Sequence, residues 1–218
     1  MFKKIFVCTL TLLALVIGGC GEEKILGTPE KAILAYAEVA MTGKSDNLEA
    51  AGLNEDDRKE ICYMMANRFV DTMSGVAPLS NESAEQLAQI FFDKMQGKMK
   101  FDVTLKEDDA NQPLVEIRTT PIDYSASARA AAGENDEFIA LLGMVGKLKS
   151  DGATDEQLKE NPDVQKLAVS AVSKYIDKIS FGPEKTFSVP CKKIDGHGGN
   201  RHWAPANIPE FLKFLTGQ

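Results

Sequence analysis

Hydrophobic spacing divides the chain into an uncharged apolar block, three helical stretches, an alternating pair, a long helical excursion, a second alternating pair and a closing helix. The block fills positions 5 to 17, and residues 20 to 27 after it read as a short tether. Thr28-Pro29-Glu30 then joins an N-cap side chain, a proline at the first helical position and an acid in the first turn. Ile33, Tyr36, Ala37, Ala40 and Met41 follow at i, i+3, i+4, i+7 and i+8, one buried stripe that Gly43 stops, and residues 45 to 52 form a short helix or loop. Asn54 with Asp57 three residues on predicts a second helix, with Cys62, Met65, Phe69 and Met73 as its apolar line. Methionine at this spacing serves either as core filler or as an adaptable binding surface, and core filler is the more general use. A third helix from Ser83-Ala84-Glu85-Gln86 buries Leu87, Phe91 and Met95 and ends at Gly97.

The period then changes. Met99, Phe101, Val103 and Leu105 alternate with polar residues, and Val115 and Ile117 share a face in a second strand that Pro121 ends, so the two form an antiparallel hairpin. Tyr124 to Lys149 reads as helical, weakened near Gly133, and buries Phe138, Leu141, Leu142, Val145 and Leu148. Pro162 opens the strongest stripe, Val164, Leu167, Ala168, Ala171, Val172, Tyr175, Ile176 and Ile179, for which the sheet is the expected partner. Phe187, Val189 and Cys191 make a third strand whose Pro190 suggests an edge or bulge, and Arg201 to Ala204 make a fourth. Asn207-Ile208-Pro209-Glu210 caps a terminal helix that buries Phe211, Leu212 and Leu215. No repeat or linker interrupts residues 28–218. The expectation is one α+β domain with N-terminal helices, an antiparallel sheet of about four strands, long helices inserted between two hairpins, and a C-terminal helix.

Lys3 and Lys4 before the apolar block, and small residues after it, have the form of an export signal. Ile17-Gly18-Gly19-Cys20 resembles the lipobox of bacterial lipoproteins. The resemblance implies that residues 1–19 are a signal peptide cleaved after Gly19 and that the Cys20 thiolate takes up a diacylglyceryl group. It places the chain at the cell envelope outside the cytoplasm, on the cell membrane or on an outer membrane where the organism has one. The other reading, an uncleaved spanning helix, needs about 20 apolar residues and the run is shorter. Lipid suffices as an anchor, because each buried methylene contributes about 0.8 kcal/mol and two or more chains hold stably.

Charge narrows the partners. The formal charge of −7 becomes −9 once Lys3 and Lys4 leave, with 23 basic against 32 acidic residues. An acidic domain repels phosphate backbones, so nucleic acid is excluded as a partner and the lipid on Cys20 alone carries membrane attachment. Cys8 leaves with the signal, which keeps Cys62 and Cys191 in the exported domain. An oxidising compartment permits a disulfide between them, and two buried free thiols are the alternative. Asp195-Gly196-His197 with His202 could ligate zinc or copper, or form a hairpin with His197 exposed at its tip and Trp203 turned inward. No Cys-x-x-Cys or His-Glu-x-x-His accompanies them, so neither a metal site nor a cofactor is assigned. Asp56/Asp57 and Asp108/Asp109 read as solvated charges of a helix start and a turn, without the alternating ligands and glycine of a calcium loop. No phosphate loop or nucleophile elbow occurs.

Thr28-Pro29-Glu30 with Ala32 and Tyr36, the strand pair 99 to 120 ending in Pro121-Ile122-Asp123, and the closing strand with Trp203 together resemble bacterial lipoproteins with a cystatin-like or nuclear-transport-factor-like domain. That resemblance implies a curved sheet wrapped around a helix to enclose a cone-shaped cavity, used by some relatives for ligands and by a few for catalysis. The long insertion between the strand pairs departs from the minimal pattern. Three functions stand, and the favoured one is an anchored interaction or structural module without enzymatic activity, its envelope partner unnamed. The others are a small-molecule binder using the cone, and an enzyme with an Asp or His inside it.

Overall fold

The computed structural model describes residues 25–132, 136–196 and 201–217. Residues 1–19, Cys20, Gly133 and His197 lie outside the described residues, so the signal, the lipidation site and the exposed hairpin tip find no structural counterpart here.

The first described element is a strand, β1 (Ile25–Leu26), inside the segment read as tether. It is held at once: Gly27 has φ 74° and Gly52 φ 79°, and a Cβ on either would come within 2.5 Å of the opposing segment, Ala51 or Leu26. Helix α1 (Pro29–Thr42) begins at Thr28 as read and ends at Gly43. A 3₁₀ turn, Glu49–Ala51, precedes α2 (Glu55–Met73). There Asn54 Oδ1 accepts from the amides of Asp56 and Asp57 at 2.9 and 3.0 Å, and Asp57 Oδ2 accepts from Asn54 N at 2.9 Å, the reciprocal box expected from the spacing.

Helix α3 (Asn81–Met95) starts three residues earlier than the serine-glutamine pattern indicated. Ser80 is its cap and accepts from Ser83 N at 3.1 Å, so the serine read as a cap is the residue being capped. The chain continues through β2 (Asp102–Glu107), β3 (Leu114–Thr119), α4 (Tyr124–Ala132), α5 (Asp136–Ser150), α6 (Asp155–Glu160), α7 (Pro162–Asp177), β4 (Lys185–Asp195), β5 (Arg201–Pro205) and α8 (Ile208–Thr216). Helix α6 is an addition to the sequence reading. Its single buried residue, Leu158, shows no stripe, although Thr154 and Gln157 form a capping box.

The protein is α+β. Its sheet has five strands in the order β1-β5-β4-β3-β2, with β1 parallel to β5 and the other neighbours antiparallel. Leu105, Val115 and Val189 lie in one row across three strands, and Val103, Ile117 and Phe187 in the next, so one face is continuous and apolar. Pro190 is on neither an edge nor a bulge. It is the last β4 residue paired to β3, and Cys191 is the first paired to β5, so its missing N–H falls where the strand changes partner.

Helix α1 lies across this sheet, touching β5, β2 and β3, with Ala32, Ala35, Ala37 and Ala40 fully buried. At the other end Phe214 of α8 stacks on Phe187 with ring centres 4.8 Å apart. The long stripe of α7 does not take the sheet as its main partner. Its buried residues Val164, Ala168, Ala171, Val172 and Ile176 belong to a helical layer in which α7 packs on α3 and α5. Leu142, expected in the core, is 46% exposed on α5, while Leu141 and Val145 are buried.

Candidate functional site

The helical layer does not close on itself. Met65, Arg68, Phe69, Thr72 and Met73 project from α2 at i, i+3, i+4, i+7 and i+8, one continuous wall, and Ala171, Val172, Tyr175 and Ile176 of α7 face it. Between the walls is a cleft of about 550 Å³, the size range of small-molecule sites. Ala128 and Ala131 of α4 contribute only methyl groups to it, while Phe138 and Ile139 of α5 form its lip. The methionines read as core filler are both things at once. Met65 and Met73 are buried, yet their side chains line the cleft.

The polar groups of the cleft are few. Arg68 is the sole charged residue among its described lining, accompanied by Thr72, Tyr124, Tyr175 and Thr216. The guanidinium donates to Thr216 Oγ1 at 3.3 Å, which ties α2 to α8. Burial pulls the Arg68 pKa below the ordinary guanidinium value, and Asp71 opposes this by favouring the charge. The Tyr124 and Tyr175 rings are tilted against each other with centres 6.1 Å apart. Burial, then Tyr124, pushes the Tyr175 phenol up to about 12, so it is neutral at physiological pH and available as a donor.

A second cleft, about 590 Å³, borders a neighbouring face of α2 and is lined by Lys44, Arg58, Lys59, Glu85, Gln89 and Gln96 among others. Several of its polar groups are already paired. Arg58 donates to Glu55 at 2.6 and 2.8 Å and to Gly43 O at 2.6 Å, and Lys44 Nζ donates to Gln96 Oε1 at 3.3 Å.

The residues singled out in the sequence fall elsewhere. The Cys62–Cys191 bridge is not formed: both thiols are free, Cys62 half-buried beside Arg58 and Gly43 O, Cys191 buried in β4. Burial, with Glu30 adding to it, pushes the Cys191 thiol up to about 12, which makes it unreactive. His202 is 1% exposed, its Nε2 lies 3.3 Å from Tyr36 Oη, and its Nδ1 has no hydrogen-bond partner among the described residues. Trp203 turns inward as expected, under Lys193 Nζ at 5.2 Å. Asp195 pairs with Arg201 at 3.0 Å. Among the described residues no three His, Cys, Asp or Glu side chains are grouped to hold an ion. Asp57 serves the α2 cap, and Asp109 accepts from Asn111 N and Gln112 N at 2.8 Å each, which lowers its pKa and closes the turn.

Residues 21–140 match the family described as a domain of unknown function, DUF5105. The chain belongs to this family. The DUF5105 match runs from before β1 into α5, so it includes the α2 and α4 sides of the cleft and leaves out α7, β4 and β5. A crystal structure of a candidate lipoprotein from Bacillus subtilis, YcdA, is similar in fold, with a TM-score of 0.58 and 17% identity. The similarity covers 87% of this chain and 56% of that one, so the chain spans little more than half the length of its structural neighbour. No curated protein matches the chain.

Proposed function

We propose that this DUF5105 chain is a lipid-anchored domain of the bacterial cell envelope, held through Cys20 outside the cytoplasm, and that it binds a small apolar molecule in its helical cleft. The cleft carries the reading: about 550 Å³ of space walled by Met65, Phe69, Val172 and Ile176, with a small set of polar groups at fixed places. Ile17-Gly18-Gly19-Cys20 supports the anchor, as does the description of the structural neighbour as a candidate lipoprotein. No helix of the described residues is long and apolar enough to cross a membrane. A cystatin-like or nuclear-transport-factor-like frame belongs to the same proposal, with α1 laid across the sheet. The site then moves out of the cone, because α1 packs on β5, β2 and β3 and is buried around much of its circumference, and into the helical layer.

Two measurements test this. Intact mass of the membrane-bound protein should show loss of residues 1–19 plus acyl chains, and Cys20→Ala should abolish both. The exported chain from residue 20, carrying Cys20→Ser so that its own acyl groups cannot compete, should bind the neutral dye Nile red with micromolar affinity. Dye fluorescence no higher than with a protein lacking such a cleft would end the ligand-binding reading. An interaction module is the second reading, and the exposed Ile139 and Leu142 on α5 favour it. It requires an envelope protein whose capture is lost in Ile139→Ser/Leu142→Ser while Nile red still binds.

A further inference from the structure

Resting on the ligand-binding reading, we propose that the cleft takes an uncharged apolar molecule with a carbonyl oxygen, a ketone, ester or quinone. The Tyr124 and Tyr175 hydroxyls hold the oxygen, and the body of the molecule lies along the apolar wall of α2 and α7. The two phenols come from different helices, α4 and α7, and their rings meet on the cleft lining with centres 6.1 Å apart. Among the described residues neither hydroxyl has a hydrogen-bond partner. For packing alone phenylalanine would serve as well. A hydroxyl lining an apolar space gains a use when the occupant brings the acceptor. The donors also point to an acceptor rather than to a second donor. A phenol donates more strongly than it accepts, since its ring draws density from the oxygen, and burial keeps Tyr175 protonated. The described lining offers no carboxylate, amide or imidazole to receive a proton from the ligand. Charge on the ligand finds no support either. Arg68 is engaged within the protein, donating to Thr216 Oγ1 at 3.3 Å with Asp71 favouring its charge, so nothing in the site rests on it. An ion of either sign gives up more hydration than two neutral hydroxyls return.

The hydroxyl pair also sets the direction of the bound molecule. Tyr124 is 43% exposed and shares the lip with Ile139, 69% exposed, whereas Met65 and Met73 on the α2 wall are buried. The carbonyl therefore rests at the mouth and the apolar body points inward. Lys174, next to Tyr175, pairs with Glu137 of α5, and α4 packs on α7, so both phenols are held in place before a ligand arrives.

The test compares ligands built on one ring system. Methyl naphthyl ketone, its hydrocarbon isostere ethylnaphthalene, and naphthoate are titrated against Nile red bound to the exported chain with Cys20→Ser. Dissociation constants are taken after allowing for the affinity of the dye itself. Water solvates a carbonyl, so a cleft without donors binds the ketone more weakly than the hydrocarbon. This cleft should bind the ketone at least as tightly as ethylnaphthalene, and naphthoate more weakly than either. Tyr124→Phe/Tyr175→Phe, which keeps both rings, should weaken the ketone at least fivefold and leave ethylnaphthalene within twofold. Weaker binding of the ketone than of ethylnaphthalene by the site with both tyrosines, which needs no tyrosine variant to fold, would overturn the acceptor assignment and leave the apolar-ligand reading standing. So would a double variant that binds the ketone as before. Naphthoate binding more tightly than the ketone would overturn the uncharged assignment. If neither Nile red nor ethylnaphthalene binds, the underlying reading falls and this inference with it.

Discussion

Alanine does opposite things in two parts of this molecule. On α1, Ala32, Ala35, Ala37 and Ala40 are fully buried in a helix enclosed by strands β5, β2 and β3 on the one hand and helices α2 and α3 on the other. On α4, Ala128 and Ala131 are just as small, yet they look into a cleft of about 550 Å³. The difference lies in the facing elements. Strands and helices alike close on α1, whereas α2 and α7 are propped by large side chains, with Phe69 edge-on to Phe91 at 6.0 Å and Tyr175 against Tyr124. Ion pairs then hold α7 in place, Lys174 with Glu137 on α5, and Asp177 at its end with Lys94 on α3 at 3.2 Å. A small residue thus closes a gap only where its neighbour is free to follow it.

The sharpest way to break that comparison is to enlarge one alanine in each region. Ala37→Leu should cost about 2–3 kcal/mol, as overpacking against a fixed neighbour does, while Ala128→Leu should stay within about 0.5 kcal/mol because the cleft takes the added atoms. Urea unfolding of both variants decides it, and equal costs would show that the cleft is not open space. In the same series Ala128→Trp should weaken Nile red binding at least tenfold, with Gln89→Trp in the polar cleft leaving it unchanged.

A smaller effect is expected from acid, and only in the closed region. His202 joins β5 to α1 through Tyr36, and burial holds its pKa below the ordinary imidazole value against the opposing pull of Asp57 and Glu60 from α2. The unfolded chain therefore takes up the proton first, so this histidine's contribution is present above about pH 6.5 and is lost as the pH falls below it. Urea midpoints at pH 7.5 and 5.5 should drop more for the unaltered chain than for His202→Gln, and parallel drops would remove His202 from the account. Smallest of all, Thr154→Ala should cost about 0.5–1 kcal/mol by uncapping α6, which packs on α7. Thermal unfolding would register it as a shift of a few degrees, with dye binding retained.

Much of the frame was legible because its signals are local. The Thr28-Pro29 start of α1, the Asn54/Asp57 box of α2, Pro162 and Asn207 all act within four residues of the helix they open. Val115 and Ile117 declared their buried face by alternation. What failed was relational. The α7 stripe states that a face is buried and says nothing of what buries it, so helices were mistaken for a sheet. Strand β1 has two residues, too few to show a period. The cleft has no motif at all, since its lining comes from helices as far apart in the chain as α2 and α8. The spacing of Met65 and Met73 is that of ordinary core, because they are buried and line the space together.

The interlock of Gly27 and Gly52 has a geometric consequence for an anchored chain. It holds Ile25–Leu26 at the end of the sheet, parallel to β5, so a leash from Cys20 can be no longer than the five residue steps between them. At about 3.4 Å per residue that leash reaches about 17 Å. On the proposed acylation of Cys20, the β1 edge stays within that height of the lipid surface, and the domain is a moored body rather than a float on a long line.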